Sequence, residues 1–438
     1  MISQKANQGH SQVTISKKSS VVLTEFPNDW EFEAMGKEVN ASGGYAFKSK
    51  DFVKNGIRVL KITNISNNNI EWKNVSYVPK NYWKEFSQYR LKNNDVVLAL
   101  TGSIIRDGLK IGIFKDNEKT LLNQRVCKFE TSSKLDKKFL YYFLSQNYFQ
   151  NQIQFRTTKS SQPNISTEEI EKIILWYPKN IFEQQKIANI LSNIDNLIDS
   201  NESAIKSTKK LKKSILQKIF SKGIGHKKFK KTVLGNIPIE WDLADLGKIG
   251  IWSGGGTPSN FVKEYWENGT IPWISAKDMK SFEKFDSKKK ITLSGLENSS
   301  ATLVKANSIL FVVRSRILAK TLPIAIAKVN LSINQDMKAL FPKNEYDVNF
   351  LFYCLLSKRE HIRSSCFKHG IMGHSLDFQK LKSFTIPIPP KKEQIKIGSI
   401  ISKIDQVLKH NEQNKRHVEN IKEGLISKLL SGQIRVKV

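Results

Sequence analysis

Residues 183–187 read Glu-Gln-Gln-Lys-Ile, and residues 393–397 read Glu-Gln-Ile-Lys-Ile, 210 positions later. Each stretch opens a long run in which apolar residues recur with helical spacing. Further landmarks recur after 211 positions: Pro27-x-x-Trp30 with Gly36 returns as Pro238-x-x-Trp241 with Gly247, and Asn123-Gln124 returns as Asn334-Gln335. A period this long indicates two whole domains, because solenoid units run to about 20–50 residues. The chain is therefore predicted to be an internal repeat with a pseudo-twofold axis.

The two runs carry a heptad pattern. In the first run one heptad position holds Ile187, Ile194, Asn201, Thr208 and Ile215, and the position three residues later holds Ile190, Leu197, Ala204, Leu211 and Lys218. The second run gives Ile397, Ile404, Asn411, Val418 and Leu425, and then Ile400, Val407, Asn414, Ile421 and Lys428. An asparagine at the same point of both stripes is typical of a coiled-coil seam, where it selects register and partner. The alternative is a surface helix with a weak apolar stripe.

The ends of both helices are marked. Asn180 can cap the first helix, with Glu183 three positions later as in a capping box. Pro389-Pro390 sets the start of the second, and Gly223 and Gly432 lie where C-terminal glycines belong. At 1.5 Å per residue, some 38 residues extend about 57 Å. Because the second domain begins soon after the first helix ends, the second helix is expected to run back as its antiparallel partner.

Each copy before its helix mixes strands with helices. Strands are predicted at residues 58–62, 95–100, 110–114, 309–313 and 323–327, and helices at 139–155 and 350–366. The fold class is therefore α+β: two tandem domains separated by two long helices that form an antiparallel coiled coil. The predicted boundaries are a polar, frayed N-terminal tail at 1–20, a first domain at 21–178, a first spacer helix at 179–223, a second domain at 224–388 and a second spacer helix at 389–438.

The composition indicates a folded, strongly basic protein. It has 71 Lys and Arg against 40 Asp and Glu, a net charge of +31, with 39% hydrophobic residues. Such an excess attracts polyanions, and nucleic acid is the favoured partner; a lysine-rich proteome is the alternative explanation. There is no signal-peptide pattern and no apolar run long enough to span a membrane. Three cysteines without metal-like spacing read as reduced thiols, so we expect a soluble, cytoplasmic protein.

Motifs for catalysis are missing from the sequence. No phosphate loop and no Asn/Asp-Pro-Pro-Tyr/Phe motif of base-methylating enzymes is present. His369 and His374 flank a glycine-rich stretch without a third ligand, so no metal site is predicted. Residues 254–256, three glycines, are interpreted as a flexible turn. The chain is expected to be non-catalytic and to need no cofactor of its own.

The signals for binding lie in two zones of each domain. Basic and amide side chains on loops are the residue types that contact phosphates and base edges. The first zone contributes Arg106, Lys110 and Arg125 in copy one and Arg314, Arg316 and Lys320 in copy two. The second zone contributes Arg156, Lys159 and Gln162 in copy one and Lys368, His369 and His374 in copy two. Any basic protein has basic loops, but the frame is duplicated while these loops have diverged. That difference is expected if each domain reads a different short sequence.

Two such domains alternating with two long helices resemble the specificity subunits of Type I restriction–modification systems. The resemblance covers about residues 21–438. It rests on Trp30 and Trp241, on the two Asn-Gln pairs, on Gln-Pro-Asn-Ile-Ser at residues 162–166 and on the Pro-x-Pro-Pro-x-x-x-Glu-Gln entry at 387–394. In copy two the loop at 368–374 replaces Gln-Pro-Asn-Ile-Ser, and His374 is interpreted as the counterpart of Asn164.

The resemblance implies a DNA-recognition subunit. Each domain would be a target recognition domain that reads one half of a bipartite, asymmetric site in double-stranded DNA. The helices would set the unread spacer and dock two methyltransferase subunits, which use S-adenosylmethionine; a complex with endonuclease–translocase subunits would use ATP and magnesium. A spacer of about 57 Å exceeds one DNA turn of about 34–36 Å, so changing the length of the first helix should change the unread gap.

Three other functions stay open at this point. The first is a two-headed coiled-coil scaffold that binds proteins, with the charge explained by proteome bias. The second is a specificity subunit of a DNA-modification system other than Type I. The third is a self-sufficient methyltransferase or nuclease, which the missing cofactor motifs disfavour. The DNA target and the spacer length cannot be derived from the sequence, because contacts in the grooves depend on loop geometry.

Overall fold

The computed structural model describes residues 3–7, 10–14, 24–105, 108–157, 163–370 and 373–437. The chain forms two compact units. Unit 1 comprises Met1–Asn201 with Asn414–Val438, and unit 2 comprises Glu202–Gln413. The division falls inside two long helices, the first long helix Ile181–Lys222 and the second long helix Lys391–Leu429, so that each unit holds part of both. Among the residues described, no helix is long and apolar enough to cross a membrane.

The described residues of unit 1 form short strands and four short α-helices besides its parts of the long helices. The strands are Ser3–Asn7, His10–Thr14, Thr24–Pro27, Trp30–Ala34, Val39–Gly43, Ile57–Leu60, Ile65–Ser66, Asn69–Ile70, Ser76–Val78, Asp95–Ala99, Ile104–Ile105, Gly108–Leu109, Ile111–Phe114, Thr120–Leu122, Val126–Thr131 and Ile174–Pro178. The short α-helices are Tyr82–Glu85, Lys137–Leu144, Asn147–Arg156 and Thr167–Glu171.

Unit 2 contains the same kinds of element. Its strands are Phe229–Thr232, Gly235–Pro238, Asp242–Asp245, Gly250–Gly254, Ile271–Ile274, Glu283–Lys284, Lys289–Ile291, Leu303–Val304, Ile309–Val312, Ile324–Ala327, Leu331–Ile333, Met337–Pro342, Phe367–Gly370, Gly373–Leu376 and Thr385–Ile388. Its α-helices, apart from the long ones, are Leu246–Ile249, Leu293–Glu297, Val348–Cys366 and Phe378–Lys382.

Both units are organised around one antiparallel sheet with the same strand order. In unit 1 the order is Ile111–Phe114, Asp95–Ala99, Val126–Thr131, Val39–Gly43. In unit 2 it is Ile324–Ala327, Ile309–Val312, Met337–Pro342, Gly250–Gly254, with Glu283–Lys284 added in parallel at the Ile324 edge. Four of the five predicted strands lie in these two sheets, and the fifth, Ile57–Leu60, pairs with Thr120–Leu122 and Ser76–Val78 in another sheet.

Two short-range predictions differ from the structure. The predicted helix at 139–155 is two helices, because Ser145 and Gln146 interrupt it and the Ser145 hydroxyl bonds the Tyr141 carbonyl oxygen at 2.8 Å. The N-terminal tail was predicted to be frayed, yet Ser3–Asn7 and His10–Thr14 pair as antiparallel strands, and Thr24–Pro27 pairs with the second of them. Backbone pairing of this kind is possible for polar residues, whose side chains give no apolar pattern to detect.

The buried glutamine at the start of each long helix explains the repeated Glu-Gln stretch. Gln184 accepts from the Asp136 amide at 2.7 Å and donates to the carbonyl oxygens of Lys134 and Pro178, both at 2.8 Å. Gln394 does the same in unit 2: it accepts from the Asp347 amide at 2.8 Å and donates to the carbonyl oxygen of Pro389 at 2.9 Å. Each glutamine is buried and satisfies backbone groups at the start of its helix, where the bond to the proline carbonyl oxygen is itself buried.

The predicted cap of the first long helix and the predicted C-terminal glycines of both long helices are confirmed, but the predicted capping box is not. The Asn180 side chain accepts from the Phe182 amide at 2.9 Å, so it caps the first long helix. Glu183 does not complete a capping box, since its carboxylate receives the guanidinium of Arg435 instead. Gly223 and Gly432 have φ angles of 65° and 72°, the left-handed conformation expected after a helix.

The heptad prediction needs a correction of phase. The series that begins at Ile187 and the series that begins at Ile397 face inward, and both isoleucines are fully buried. The series three residues later does not face inward. Leu197 and Leu211 are 55% and 54% exposed, and Val407 and Ile421 are 50% and 45% exposed. Leu211 is therefore wrong as a seam residue.

The inward face uses the position four residues later. In the first long helix this series is Leu191, Ile198, Ile205, Lys212 and Ile219, and in the second it is Ile401, Leu408, Lys415, Lys422 and Leu429. All of these residues are buried or half-buried. The asparagines are half-buried too, and Asn201 bonds the Leu197 carbonyl oxygen of its own helix at 2.8 Å.

Lysines can occupy this inward series because each meets a carboxylate. In unit 1 the Tyr142 hydroxyl donates to Asp195 at 2.7 Å, and Lys422 lies 2.6 Å from the same carboxylate. In unit 2 Lys212 is paired with Asp405, and the pKa of the Tyr353 phenol is raised by burial and then by the charge of Asp405. Each unit thus joins the domain, the helix that follows it and the other long helix through one tyrosine–aspartate–lysine group.

Candidate nucleic-acid interface

The Asn-Gln pair of each unit forms a turn against a glycine. In unit 1 the Tyr45 amide donates to the Leu122 carbonyl oxygen at 2.9 Å, and the Gln124 amide donates to that of Tyr45 at 2.9 Å. A Cβ atom on Gly44 would lie 2.4 Å from the carbonyl oxygens of Leu122 and Asn123. Only glycine permits this close approach, which explains why a glycine packs against the turn.

The glycine-rich stretch of unit 2 makes the same contact. A Cβ atom on Gly255 would lie 1.9 Å from the Ile333 carbonyl oxygen, and one on Gly256 would lie 2.0 Å from that of Ser300. The Gly256 amide donates to Ile333 at 3.0 Å, and its carbonyl oxygen accepts from the Trp273 indole at 2.9 Å. The prediction of a flexible turn is therefore wrong: these glycines are packed against neighbouring backbone.

Beside this turn, the structure brings the two predicted zones of each domain together. In unit 1 the Ile165 amide donates to the Leu100 carbonyl oxygen at 3.0 Å, and the Gly102 amide donates to that of Pro163 at 2.9 Å. In unit 2 the Leu376 amide donates to Val313 at 2.8 Å, and the Ser315 amide donates to His374 at 3.0 Å. Loops that lie about 60 residues apart in sequence are thus adjacent, in the same way in both units.

These bonds also correct one residue correspondence. Asn164 bridges Thr101, and the residue that bridges Arg314 is Ser375. His374 occupies the position of Pro163, because each of these residues gives its carbonyl oxygen to the facing loop. Ser375 is therefore the counterpart of Asn164, and His374 adds an imidazole where the first unit has none.

In unit 2 these loops border a concave site. A recess of about 320 Å³ is lined by Ser275, Ala276 and Ser315 and by the polar side chains of Lys277, Arg314, Arg316, Asn334, Asp336 and His374. Arg314 and Arg316 are exposed, as a phosphate- or base-contacting residue must be. The Asn334 amide nitrogen lies 3.2 Å from Asp336, while its buried oxygen has no hydrogen-bond partner. The recess therefore presents several cations around a fixed amide–carboxylate pair.

Within the described residues, the other predicted residues of unit 2 do not line the recess. Lys320 is exposed at the end of the short 3-10 helix Arg316–Ala319. Lys368 lies 3.0 Å from Asp377 and lowers the pKa of that carboxyl group by its hydrogen bond. His369 belongs to the strand Phe367–Gly370, which pairs with Gly373–Leu376. Lys368 is thus already neutralised, so it is a weaker candidate than Arg314 or Arg316.

The predicted residues of unit 1 are less concentrated. Arg125 is exposed directly after the Asn-Gln turn, and its carbonyl oxygen accepts from the Leu100 amide at 2.8 Å. Lys110 is half-buried and its backbone pairs with Asn67. Arg156 ends its helix with the guanidinium 3.9 Å from Glu169, so its charge is partly neutralised. Arg106, Lys159 and Gln162 lie outside the described residues.

Sequence reasoning missed Lys277, Asn334 and Asp336 as site residues. Asn334 was visible as a repeated landmark, but repetition alone marks frame as well as function. Lys277 and Asp336 carry no repeated pattern, and only the fold places them next to Arg314. Within the described part of the chain there is no cluster of three or more His, Cys, Asp or Glu side chains that could hold a metal ion.

Comparison with known families decides what this frame is. The sequence model of the Type I restriction modification DNA specificity domain matches residues 27–210 and again residues 238–420. The chain belongs to this family. The two matches begin at the two Pro-x-x-Trp landmarks and each continues into a long helix.

Curated relatives are specificity subunits. The chain is 45% identical over 167 residues to the Type I restriction enzyme EcoR124I/EcoR124II specificity subunit of Escherichia coli, covering 38% of this chain and 41% of that one. It is 38% identical over 202 residues to the MjaVIII specificity subunit of Methanocaldococcus jannaschii, covering 46% and 47%. These matches span less than half of each relative. The putative MjaX specificity subunit matches over 428 residues at 27% identity, covering 95% and 96%.

A solved structure has the same fold. The S subunit of a Type I restriction–modification system from M. genitalium superposes with a TM-score of 0.60 at 17% identity, covering 91% of this chain and 96% of that one. The fold of tandem specificity domains, with mixed helix and strand content and a long helix after the first domain, is therefore shared with this family.

Proposed function

We propose that the chain is the DNA-recognition subunit of a Type I restriction–modification complex, in which each unit reads one half of a bipartite, asymmetric site. One observation carries the proposal. Both units hold two loops side by side at a glycine-packed Asn-Gln turn, and the backbone contacts are the same while the exposed side chains differ. A shared frame with unlike loops is what two readers of different sequences require. The two specificity-domain matches favour this function over a protein-binding scaffold.

Electrostatics supports DNA as the ligand. A net charge of +31 favours a polyanion, because binding releases condensed counterions. At the recess of unit 2, Arg314 and Arg316 can donate two parallel hydrogen bonds to guanine or to a phosphate. We assign base reading in unit 2 to this recess, and in unit 1 to the loops around Arg125.

We assign a role to each predicted segment of the chain. We assign residues 21–178 and 224–388 to two target recognition domains and residues 179–223 and 389–438 to two spacer helices, with residues 1–20 as an N-terminal extension. We propose that the helices form an antiparallel coiled coil with pseudo-twofold symmetry. In unit 2, Lys209 pairs with Glu412 and Lys212 with Asp405, so that one residue number rises as the other falls. The length of this coil would set the unread gap.

Exposed apolar residues support docking of two methyltransferase subunits on the helices. Leu197 and Ile421 in unit 1 correspond by the repeat to Val407 and Leu211 in unit 2, and all four side chains are about half exposed. Apolar residues that recur every seven positions outside a seam are typical of a second helical contact. Two equivalent stripes fit two copies of one partner. We place methyl transfer with S-adenosylmethionine in those subunits and ATP- and Mg-dependent cleavage in endonuclease subunits. This chain would be non-catalytic and act in the cytoplasm.

The test is base-resolution methylation mapping of cells that co-express the chain with its methyltransferase partner. The expected result is one methylated motif made of two specified parts separated by an unspecified gap of fixed length. Cells with the partner alone are the control and should lack the motif. A continuous motif without a gap, or the same motif without this chain, would contradict the proposal.

The proposal that the length of the coil sets the unread gap can be tested in the same cells. Seven residues inserted at matched points of both long helices add two turns and keep the inward face in phase. The expected result is a longer unread gap with both half-sites unchanged. Changed half-sites with an unchanged gap would refute the role of the coil in setting the gap.

A further inference from the structure

Unit 2 contains a second, larger concavity, which shares no lining residue with the recess beside the recognition loops. This groove has a volume of about 1170 Å³ and runs between the two long helices, the helix Val348–Cys366 and the segment 281–285. Its floor is apolar, formed among others by Leu216, Phe220 and Phe352. Two aromatic rings form its lip: Phe282 is 45% exposed and Phe285 is 59% exposed. An apolar floor with exposed aromatic rings is typical of a protein-binding site.

The rim of the groove is basic. Each of its carboxylates is already paired: Asp405 with Lys212, Glu412 with Lys209, and Glu283 with Lys328. Lys213, Lys358 and Lys409 also line the groove. Within the described residues, none of these three lysines forms an ion pair. The groove thus presents three uncompensated positive charges around an apolar floor.

The repeat supplies an internal comparison, because every groove position on the long helices has a counterpart 210 residues away in unit 1. Lys213 corresponds to Glu423, Lys409 to Asp199, and Lys209 to Glu419. All three charges are reversed. The inward residues at the same level are kept, since Lys212 corresponds to Lys422 and Asp405 to Asp195. Helix packing alone therefore does not require lysine at these three positions.

The lip differs in the same direction. Next to the strand Ile111–Phe114 of unit 1, the place of segment 281–285 is taken by the hairpin of Ile65–Ser66 and Asn69–Ile70. Its turn residues are Asn67 and Asn68, and the Asn68 side chain lies 3.4 Å from the Ser145 hydroxyl. Unit 1 is thus polar and acidic where unit 2 is aromatic and basic.

We propose that the groove of unit 2 binds an acidic amphipathic helix of a partner protein, and that only one copy of this helix binds per chain. The helix would lay its apolar face on the floor between Phe220 and Phe285 and direct carboxylates to Lys213, Lys358 and Lys409. A helix fits because side chains of three helices bound the groove, as in other helix-in-groove complexes. DNA fits poorly because it offers no apolar ridge for the floor. The acidic residues of unit 1 would repel the same ligand, so the site distinguishes the two ends of a duplicated chain.

The experiment uses the full chain and a fluorescent, stapled helical peptide with leucine on one face and glutamate on the other. The groove variant combines Lys213→Glu and Lys409→Asp, which are the residues that unit 1 has at these positions. The control variant combines Lys218→Glu and Lys403→Asp on the opposite faces of the same helices, so that both proteins have the same net charge. A third variant, Phe285→Ser, removes an exposed ring at little cost to folding.

Fluorescence anisotropy should show saturable binding to the unchanged chain and to the control variant. The groove variant should bind about tenfold more weakly, because two attractive charges become repulsive. Phe285→Ser should weaken binding severalfold with an unchanged melting temperature. A peptide with lysine in place of every glutamate should not bind. Equal affinities for the groove and control variants, or equal binding of both peptides, would overturn the proposal. So would a loss of affinity for double-stranded DNA, and not for the peptide, in the groove variant.

Discussion

Glu183 and Glu393 occupy the same position at the start of the two long helices, and each is held by a different cation from its own unit. In unit 1 Glu183 is 3% exposed and receives two hydrogen bonds of 2.8 Å from Arg435, which also binds Asp29. In unit 2 Glu393 lies 3.0 Å from His226, whose other ring nitrogen lies 2.9 Å from Glu240. The repeat thus kept the glutamate and changed its partner.

The indole groups at this place differ too. Trp241 donates to Glu393 at 3.0 Å, whereas the buried indole nitrogen of Trp30 has no hydrogen-bond partner. The guanidinium stays charged at any physiological pH, but an imidazole does not. The comparison shows that the same glutamate can be held by a permanently charged arginine in one unit and by a histidine that titrates in the other.

The largest effect should come from the glutamines that the units share. Gln184→Leu and Gln394→Leu each remove the side-chain hydrogen bonds that hold the backbone at a helix start, one of them buried, at a cost of about 3 kcal/mol. Hydrogen exchange should show a lower opening free energy in the unit that carries the change, by a similar amount for both. A cost in only one unit would break the equivalence of the two helix starts.

The next effect separates the units. Arg435→Ala leaves the Glu183 carboxylate buried without its cation and should cost unit 1 about 3 kcal/mol. The opening free energy of the strand Trp30–Ala34, measured by hydrogen exchange, reports this loss. Lys437→Ala removes an exposed charge two residues away and serves as the control. An identical result for both variants would show that charge, and not the contact with Glu183, matters.

A pH series around neutrality should affect unit 2 through His226. Hydrogen bonding to Glu393 raises the pKa of His226 above its ordinary value of 6.5, so protonation stabilises the folded unit. This stabilisation is complete below the ordinary pKa and is lost as the pH rises through the raised one. The expected loss is about 2 °C in the melting of unit 2. His226→Gln should abolish this dependence on pH, and a dependence that survives the change would assign it to another group.

The smallest effect tests the phase of the heptads. Leu197→Ser in unit 1 and Leu211→Ser in unit 2 remove half-exposed side chains, so each should change stability by less than about 0.5 kcal/mol. Ile215→Ser, on the inward face, is the comparison and should cost more. Circular dichroism melting distinguishes these variants. A large loss for Leu197→Ser or Leu211→Ser would restore the series three residues after Ile187 as the seam.

Much of this frame could be predicted from the sequence, because it depends on local patterns. The long helices, their terminal glycines and five of the strands follow from periodicity and turn chemistry. The phase of the coil does not follow, since the series that begin at Ile190 and at Leu191 are both apolar at their first members. Only packing shows that Lys212 faces inward, toward Asp405.

The recognition loops, and the contacts of Arg435 and His226 with the two glutamates, are predictable from the sequence only in part. Arg314 and Arg316 were found as basic loop residues, but Lys277 reaches the same recess from a segment with no signal of its own. The Arg435 and His226 contacts join residues at unlike positions of the repeat, so comparison of the two copies cannot reveal them. Three-dimensional proximity, and not sequence spacing, determines both.

The most direct test of the central claim compares two variants by methylation mapping in cells that co-express the methyltransferase partner. One variant carries Arg314→Ala with Arg316→Ala in unit 2, and the other carries Arg125→Ala in unit 1. We predict that each relaxes or weakens recognition of one half of the bipartite motif, that the two variants affect different halves, and that the gap stays the same. Relaxation of the same half by both variants, or of both halves by either, would contradict the account of two independent readers.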